Sequence, residues 1–332
     1  MTREEIITNC KARSDLFRNI RSFLSQKDFL EADTPVLSTN LIPEPTIENF
    51  STVFDNGYNK KRQLYMIPSP EVFIKQLISK NIGSVFEFSK CFRNAEQIGK
   101  IHNPEFTMLE YYTMDSDEND NIALTEEMIA KTAIPGTPDF VLAPFKKISV
   151  HDAMYTYAEK TDLDKLQNPA KLREKARSLG LPSIPSSESW EDTFNRIFIN
   201  FVEPGLPKDR PIFLDRYPQQ INCLAVREGN YRRRWELYIG GIEVANCYLE
   251  ETDKEIISDY YRKEYAVLCS QRGITGTVIP DINPSFPDFF TSDYPKCSGV
   301  AMGMDRLLQL EMRKKDIGGV ILFPFSDMIL TN

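Results

Sequence analysis

Histidine occurs only twice in the 332 residues, and the six cysteines (Cys10, Cys91, Cys223, Cys247, Cys269 and Cys297) are scattered, with no Cys-x-x-Cys pair. Zinc sites draw on these residue types at short spacings and disulfide frameworks need clustered cysteines, so neither is indicated. No stretch approaches the roughly 20 consecutive apolar residues of a membrane span, and the start, Met1-Thr2-Arg3-Glu4-Glu5, lacks the basic and then apolar order of a secretory signal. The expected location is the cytoplasm, away from any membrane. Excess basic charge is also missing: 48 acidic residues oppose 40 basic ones, for a net charge of −8. Surfaces that hold nucleic acid through its phosphates are usually basic, so this balance counts against a long tRNA or DNA footprint and suits a basic protein partner better. The one basic run, Arg232-Arg233-Arg234, reads as a solvated strand entrance and receives no role.

What is present is an ordinary globular composition, 41% hydrophobic, on a chain long enough for one large domain or a domain with an insertion. Leu16, Ile20, Phe23 and Leu24 at helical spacing predict a helix over 14–27. Residues 29–37 look extended, with Pro35 ending or offsetting the pairing. A helix followed by an edge strand often makes a dimer seam. A second amphipathic helix is expected at 71–80, a polar loop at 114–121 and a helix at 124–132. Residues 149–205 read as a mostly helical insertion, after which strands resume near 211–217 and continue through 235–247.

Chemistry concentrates first in 92–112, which reads as strand, polar loop, strand. Arg93 stands before the loop, and His102, Phe106 and Glu110 follow it. Alternation from 85 to 93 puts Phe86, Phe88 and Phe92 on a core face and Glu87, Ser89, Cys91 and Arg93 on the other, while Phe106, Met108, Glu110 and Tyr112 share a face of the returning strand. An arginine grips phosphate oxygens, a ring stacks on a base and a carboxylate takes an ammonium group. The segment is a plausible cradle for ATP and a cationic small molecule.

A second site surrounds Gly240-Gly241, a two-residue hairpin turn that pairs Ile239 with Ile242 and Tyr238 with Glu243. Glu236 then lies diagonally across from Glu243 at roughly 7–8 Å, close enough for two carboxylates to share a Mg²⁺ ion. Strict alternation turns Asn246 to the opposite face unless a bulge intervenes beside Ala245 and Cys247. The third site, 297–308, carries glycines ahead of an amphipathic helix whose first turn projects Arg306, a residue able to stack over a purine.

Taken in order, these segments resemble the three signature motifs of class II aminoacyl-tRNA synthetases. The helix ending in Asp33-Thr34-Pro35 resembles the first, Arg93 through Glu110 the second, and Gly303-Met304-Asp305-Arg306 the third. The stretch His102-Asn103-Pro104-Glu105-Phe106-Thr107-Met108-Leu109-Glu110 is similar to the lysyl branch. Lysyl-tRNA synthetases carry an N-terminal anticodon-binding barrel, whereas here the first motif begins almost at the start. A core of this length resembles the elongation factor P beta-lysine ligase family, and Ala301 in Ser298-Gly299-Val300-Ala301 stands where lysyl-tRNA synthetases typically have glycine.

The resemblance implies an α+β fold: a class II synthetase core of mainly antiparallel sheet flanked by helices, as one catalytic domain over 1–332 with the insertion at about 149–205. It implies activation of (R)-β-lysine or lysine with ATP and Mg²⁺, transfer to a lysine of elongation factor P, a homodimer, and no charging of tRNA. Arg93 and Arg306 would be the catalytic cations. Asn94, Glu96, His102, Asn103, Phe106, Glu243, Val244 and Gly303 would complete the nucleotide shell, with Glu236 and Glu243 on the metal. Ser69, Pro70, Glu71, Glu110, Tyr112, Asn246, Tyr248, Glu250 and Ala301 would receive the amino acid. The loop after Arg93 is one residue longer than the family's, so Ala95 or Glu96 fills the usual glutamate position, and chemistry selects Glu96. Rival expectations are a lysyl-type enzyme acting on tRNA or another acceptor, an amide-forming asparagine-synthetase-like paralogue, and a non-catalytic regulatory relative, which should have lost Arg93, Arg306, Glu236 or Glu243.

Overall fold

The computed structural model describes residues 1–58, 60–95 and 98–329. The chain forms two compact units, one of Met1–Thr137 with Glu250–Asn332 and the other Pro138–Leu249. In the first unit the strands Leu30–Glu31, Val85–Phe92, Glu105–Met114 and Cys297–Gly303 lie side by side in that order. The short first strand runs parallel to its neighbour and the remaining pairs are antiparallel. Glu87 stands opposite Glu110, and Glu110 opposite Ala301; Val85 stands opposite Tyr112, and Tyr112 opposite Gly299. With a side-chain period of two, Glu87, Ser89, Phe106, Met108, Glu110, Tyr112, Gly299 and Ala301 therefore share one face. Phe88 points the other way and stacks on Phe17 with ring centroids 4.6 Å apart, which brings the helix Arg3–Ser25 against the reverse face.

That helix begins well before residue 14 because Thr2 and Glu5 close a capping box. Glu5 N donates to Thr2 Oγ1 at 3.2 Å and Thr2 N donates to Glu5 Oε2 at 2.7 Å. A similar cap corrects the loop expected at 114–121. The Asp117 side chain accepts from Asn119 N and Asp120 N, so the helix Glu118–Thr132 starts inside that polar stretch. The extended stretch 29–37 is also reduced, to Leu30–Glu31 and Leu37–Ser38, and the latter joins a separate small sheet with Lys61–Met66 and Ser51–Asp55.

In the second unit the strands Ile242–Leu249, Tyr231–Ile239, Ile212–Pro218 and Lys146–Ser149 are adjacent in that order. Between residues 149 and 206 the chain is helical, with Val150–Tyr157, Pro169–Ser178, Trp190–Ile197 and the π-helical turn Phe198–Val202. An aromatic series ties these helices to the strands: Trp190 to Phe194 at 5.4 Å, Phe194 to Phe198 at 5.5 Å and Phe198 to Tyr217 at 6.3 Å between ring centroids. Among the described residues, no helix is long and apolar enough to cross a membrane.

Glu311, buried in the first unit, accepts from Ile134 N at 3.1 Å through Oε2, and burial raises its pKa from 4.5 to about 7. The folded state thus holds this proton more tightly than the unfolded chain. Its stabilising contribution is complete below about pH 4.5 and is lost as pH rises through about 7. Glu311→Gln, which keeps an acceptor oxygen, should remove about 2–3 kcal/mol of this pH-dependent loss in urea denaturation. Parallel stability curves for the two proteins across that range would show that the loss arises elsewhere.

Candidate active site

The helix Glu71–Ile78 and the strand Glu105–Met114 bring carboxylates together in the first unit. Ser69 Oγ accepts from Glu71 N at 3.4 Å, and the helix follows Pro70 with Glu71 in its first turn. Glu110 is 4% exposed. Its Oε1 accepts from Tyr112 Oη at 2.8 Å, and its Oε2 meets no hydrogen-bond donor among the described residues. Burial and the charge of Glu71 hold the Glu110 carboxyl well above the usual carboxylate range. Glu250 is equally buried; burial raises it, Lys75 opposes and Glu71 adds, leaving it at about 7.

Sequence reasoning missed Lys75. Its Nζ lies 2.5 Å from Glu71 Oε1 and 2.8 Å from Glu250 Oε2, so the pocket contains an ammonium of its own. The signal was the Glu71 and Lys75 spacing of one helical turn on an otherwise apolar face. Gly299 was quoted in the third segment, but its steric role was also missed. A Cβ there would stand 2.4 Å from Tyr112 Cε1 and 2.7 Å from Glu250 Oε1, so only glycine lets the ring and the carboxylate approach the sheet. Glu44 is a further omission. Burial, then the charge of Glu71, raise it to about 7 against the pull of Arg93 and Lys75. Its loop is pinned by Arg272, which donates to the carbonyls of Glu44 and Ile47 and to Asn49 Oδ1.

Arg93 lies at the end of the same sheet. Arg93 N donates to Pro104 O at 3.0 Å, and the guanidinium stands over the Phe106 ring at 5.3 Å, with Nε buried and unmatched by an acceptor among the described residues. Arg306 Nε donates to Ile101 O at 3.1 Å, in the segment that leads to half-buried His102. Its neighbour Asp305 takes Arg13 Nη1 and Thr107 N, both at 2.6 Å, and so ties the start of the helix Met304–Glu311 to the strand Glu105–Met114. Asn94 is exposed and accepts from Ala95 N at 2.9 Å. Asn103 donates to Glu105 O and accepts from Phe325 N, which fastens the loop to the C-terminal segment. Gly303 stands opposite Met108. Glu96 lies outside the described residues.

The second unit carries the expected metal carboxylates. The turn has the expected register, with Tyr238 opposite Glu243 and Ile239 opposite Ile242, on left-handed Gly240 (φ 60°) and Gly241 (φ 82°). Between Leu237 and Tyr238 the register then shifts, so that Leu237 faces Ala245 and Glu236 faces Asn246. Val244 is the extra residue of this bulge, which brings Asn246 onto the face of Glu236. Arg234 corrects the solvated reading of the basic run: it is 9% exposed, donates to Glu236 Oε1 at 2.5 Å and lies between the rings of Tyr217 (4.2 Å) and Tyr248 (5.1 Å). Tyr238 Oη reaches Glu236 Oε2 at 3.0 Å and Glu203 Oε1 at 3.2 Å. Glu236, Glu243 and Asn246 thus present hard oxygen atoms on one sheet face, the donor set that a magnesium ion takes.

Residues 1–327 match the family described as tRNA synthetases class II (D, K and N). The chain belongs to that family of class II synthetases. It is 30% identical over 96% of its length to the elongation factor P (R)-beta-lysine ligase of Hamiltonella defensa, and 31% identical over 96% to that of Proteus mirabilis, covering 95% of each. To the lysine tRNA ligase of Pseudomonas fluorescens it is 32% identical over 97% of its length, covering 64% of that protein.

Gly299→Ala should force the buried Tyr112 ring or the Glu250 carboxylate to move, at about 1–3 kcal/mol of stability in chemical denaturation. Unchanged stability would show slack between that strand and the two side chains.

Proposed function

We propose that the protein activates (R)-β-lysine or lysine with ATP as the aminoacyl-adenylate and transfers it to a lysine side chain of elongation factor P. The observation that carries this proposal is the group of buried Glu110 and Glu250 with half-buried Glu71, and Ala301 directly opposite Glu110 on the neighbouring strand. Three carboxyl groups suit a substrate with two ammonium groups. The methyl of Ala301 narrows the floor where lysyl-tRNA synthetases typically have glycine. The relatives named elongation factor P (R)-beta-lysine ligase support the same choice.

The chemistry needs no protein nucleophile. A carboxylate oxygen of the amino acid attacks the α-phosphorus and pyrophosphate leaves; the acceptor amine then attacks the acyl carbon and AMP leaves. Arg93, with its Nε unmatched among the described residues, and Arg306 supply positive charge to the phosphates, and Phe106 a face for the adenine. Asn94, Glu96, His102, Asn103, Val244 and Gly303 complete the nucleotide shell. Ser69, Pro70, Tyr112, Asn246 and Tyr248 join the carboxylates in receiving the amino acid. Glu236 and Glu243 would hold Mg²⁺, which neutralises phosphate charge when bound. The family match runs through both units, which supports treating 1–332 as one catalytic domain with a mostly helical insertion at about 149–205. A cytoplasmic homodimer that does not charge tRNA completes the proposal.

Amino-acid-dependent exchange of pyrophosphate into ATP tests activation, with (R)-β-lysine and α-lysine compared. Exchange at background with both would refute it, and label passing to tRNA in place of elongation factor P would refute the acceptor. Ala301→Gly should shift preference toward α-lysine. Arg93→Ala should reduce exchange by roughly 10²–10³-fold; retained exchange would mean that phosphate is gripped elsewhere.

A further inference from the structure

The activation chemistry assigns no task to Lys75, yet its side chain is 1% exposed and bonded to two carboxylates, Glu71 at 2.5 Å and Glu250 at 2.8 Å. Burying an ammonium carries a large desolvation penalty, and a pocket for a cationic substrate gains no attraction from a cation of its own. The reason lies in the carboxylates. Like charges crowded in a desolvated space take up protons, and a protonated carboxyl holds an ammonium group far less well than a carboxylate does. Lys75 provides the missing counter-charge, and it does so with fixed geometry. Glu250 Oε2 is ion-paired with Lys75 at 2.8 Å, and Oε1 lies close to Gly299, where a Cβ would stand 2.7 Å away. Glu110 is left with Oε2 unmatched among the described residues.

We infer that Lys75 is a positioning residue that sets the affinity of the pocket for a diamino acid, orienting Glu71 and Glu250 together and countering the charge of Glu250, while Glu110 keeps Oε2 for the substrate. This rests on the proposed amino-acid activation. Burial pulls Lys75 down, but Glu250 and Glu71 outweigh it, so the ammonium stays charged throughout the neutral range. Tyr294 and Cys297 also face the pair, as do Tyr112 and Glu110 from the strand Glu105–Met114. Glu251 acts on Glu250, Tyr261 faces from the helix Lys254–Thr275, and Glu44 stands between Glu71 and Arg93 in its electrostatic influence. Lys75 is the cation paired with Glu71 and Glu250, so its loss removes the charge that opposes the upward shift of Glu250.

The test is the pH dependence of pyrophosphate exchange in the whole protein. With Lys75→Met, KM for the amino acid should rise by about tenfold or more at pH 7 and fall back as pH is raised toward about 8.5, because the carboxylates then ionise without help. The kcat should change by less than about threefold and KM for ATP should hold, since the substitution acts on the bound amine and not on the phosphates. Lys75→Arg, which keeps the charge, should retain the wild-type pH profile. A Lys75→Met profile that parallels the wild type, or a loss of kcat with KM unchanged, would overturn the inference. If the variants do not fold, the Nζ resonance of Lys75 in ¹⁵N-labelled wild type decides: it should remain that of an ammonium above pH 9 and shift when lysine is added, and titration to the amine below that pH would overturn the inference. Absence of exchange in the wild type would instead refute amino-acid activation itself, which separates the two failures.

Discussion

Two buried carboxyl groups and a half-buried third can gather in one pocket because an ammonium is buried with them. Removing water from Glu110 and Glu250 favours their neutral forms, and the charge of Glu71 adds to this. Lys75 opposes both effects at Glu250 and lies against an oxygen of Glu71 and of Glu250. Much of the surrounding structure is arranged to permit that contact. The Ser69-Pro70 helix start sets Glu71 one turn before Lys75, and Gly299 removes the side chain that would separate Glu250 and Tyr112 from the sheet. The hydroxyl of Tyr112 then occupies one oxygen of Glu110, and the other has no hydrogen-bond partner among the described residues.

The second unit repeats the principle with different residues. Glu236 is bonded to Arg234 through one oxygen and to Tyr238 through the other, while Arg234 lies between two aromatic rings. In both units a carboxylate expected to meet a cationic ligand is already engaged by an internal cation, lysine in one and arginine in the other. Ligand cations therefore compete with, or join, a charge that is part of the fold. Such pairs add little net stability but strongly penalise loss of one partner, which suits them to fixing geometry.

Much of this was legible in the sequence, because the informative signals are local. Alternation through 85–93 and 105–112 separated Glu87 from the core phenylalanines and put Glu110 and Tyr112 on one face, and Gly240-Gly241 fixed the hairpin register near the turn. The missed residues depend on contacts distant in sequence. Lys75 looks like an ordinary helical lysine until Glu250 is brought to it across 175 residues. Arg234 sits in a run of three arginines whose burial is decided by the rings of Tyr217 and Tyr248, and the steric demand at Gly299 appears only once Tyr112 stands opposite it. The helix starts near Arg3 and Glu118 were misplaced for a different reason. Polar capping residues resemble a loop when read by hydrophobic periodicity alone.

The bulge at Val244 resets parity along the strand Ile242–Leu249. Side chains between the turn and Val244 obey one alternation, those beyond it the opposite one. Counting outward from the glycine pair consequently misassigns each position past the bulge, Asn246 and Tyr248 among them. Inserting or deleting a single residue at this point would exchange the inward and outward rows of the outer half while leaving the tip of the hairpin as it is. The identity of the oxygen ligands beside Glu236 is thus governed by chain length at one irregular step as much as by which amino acids follow it.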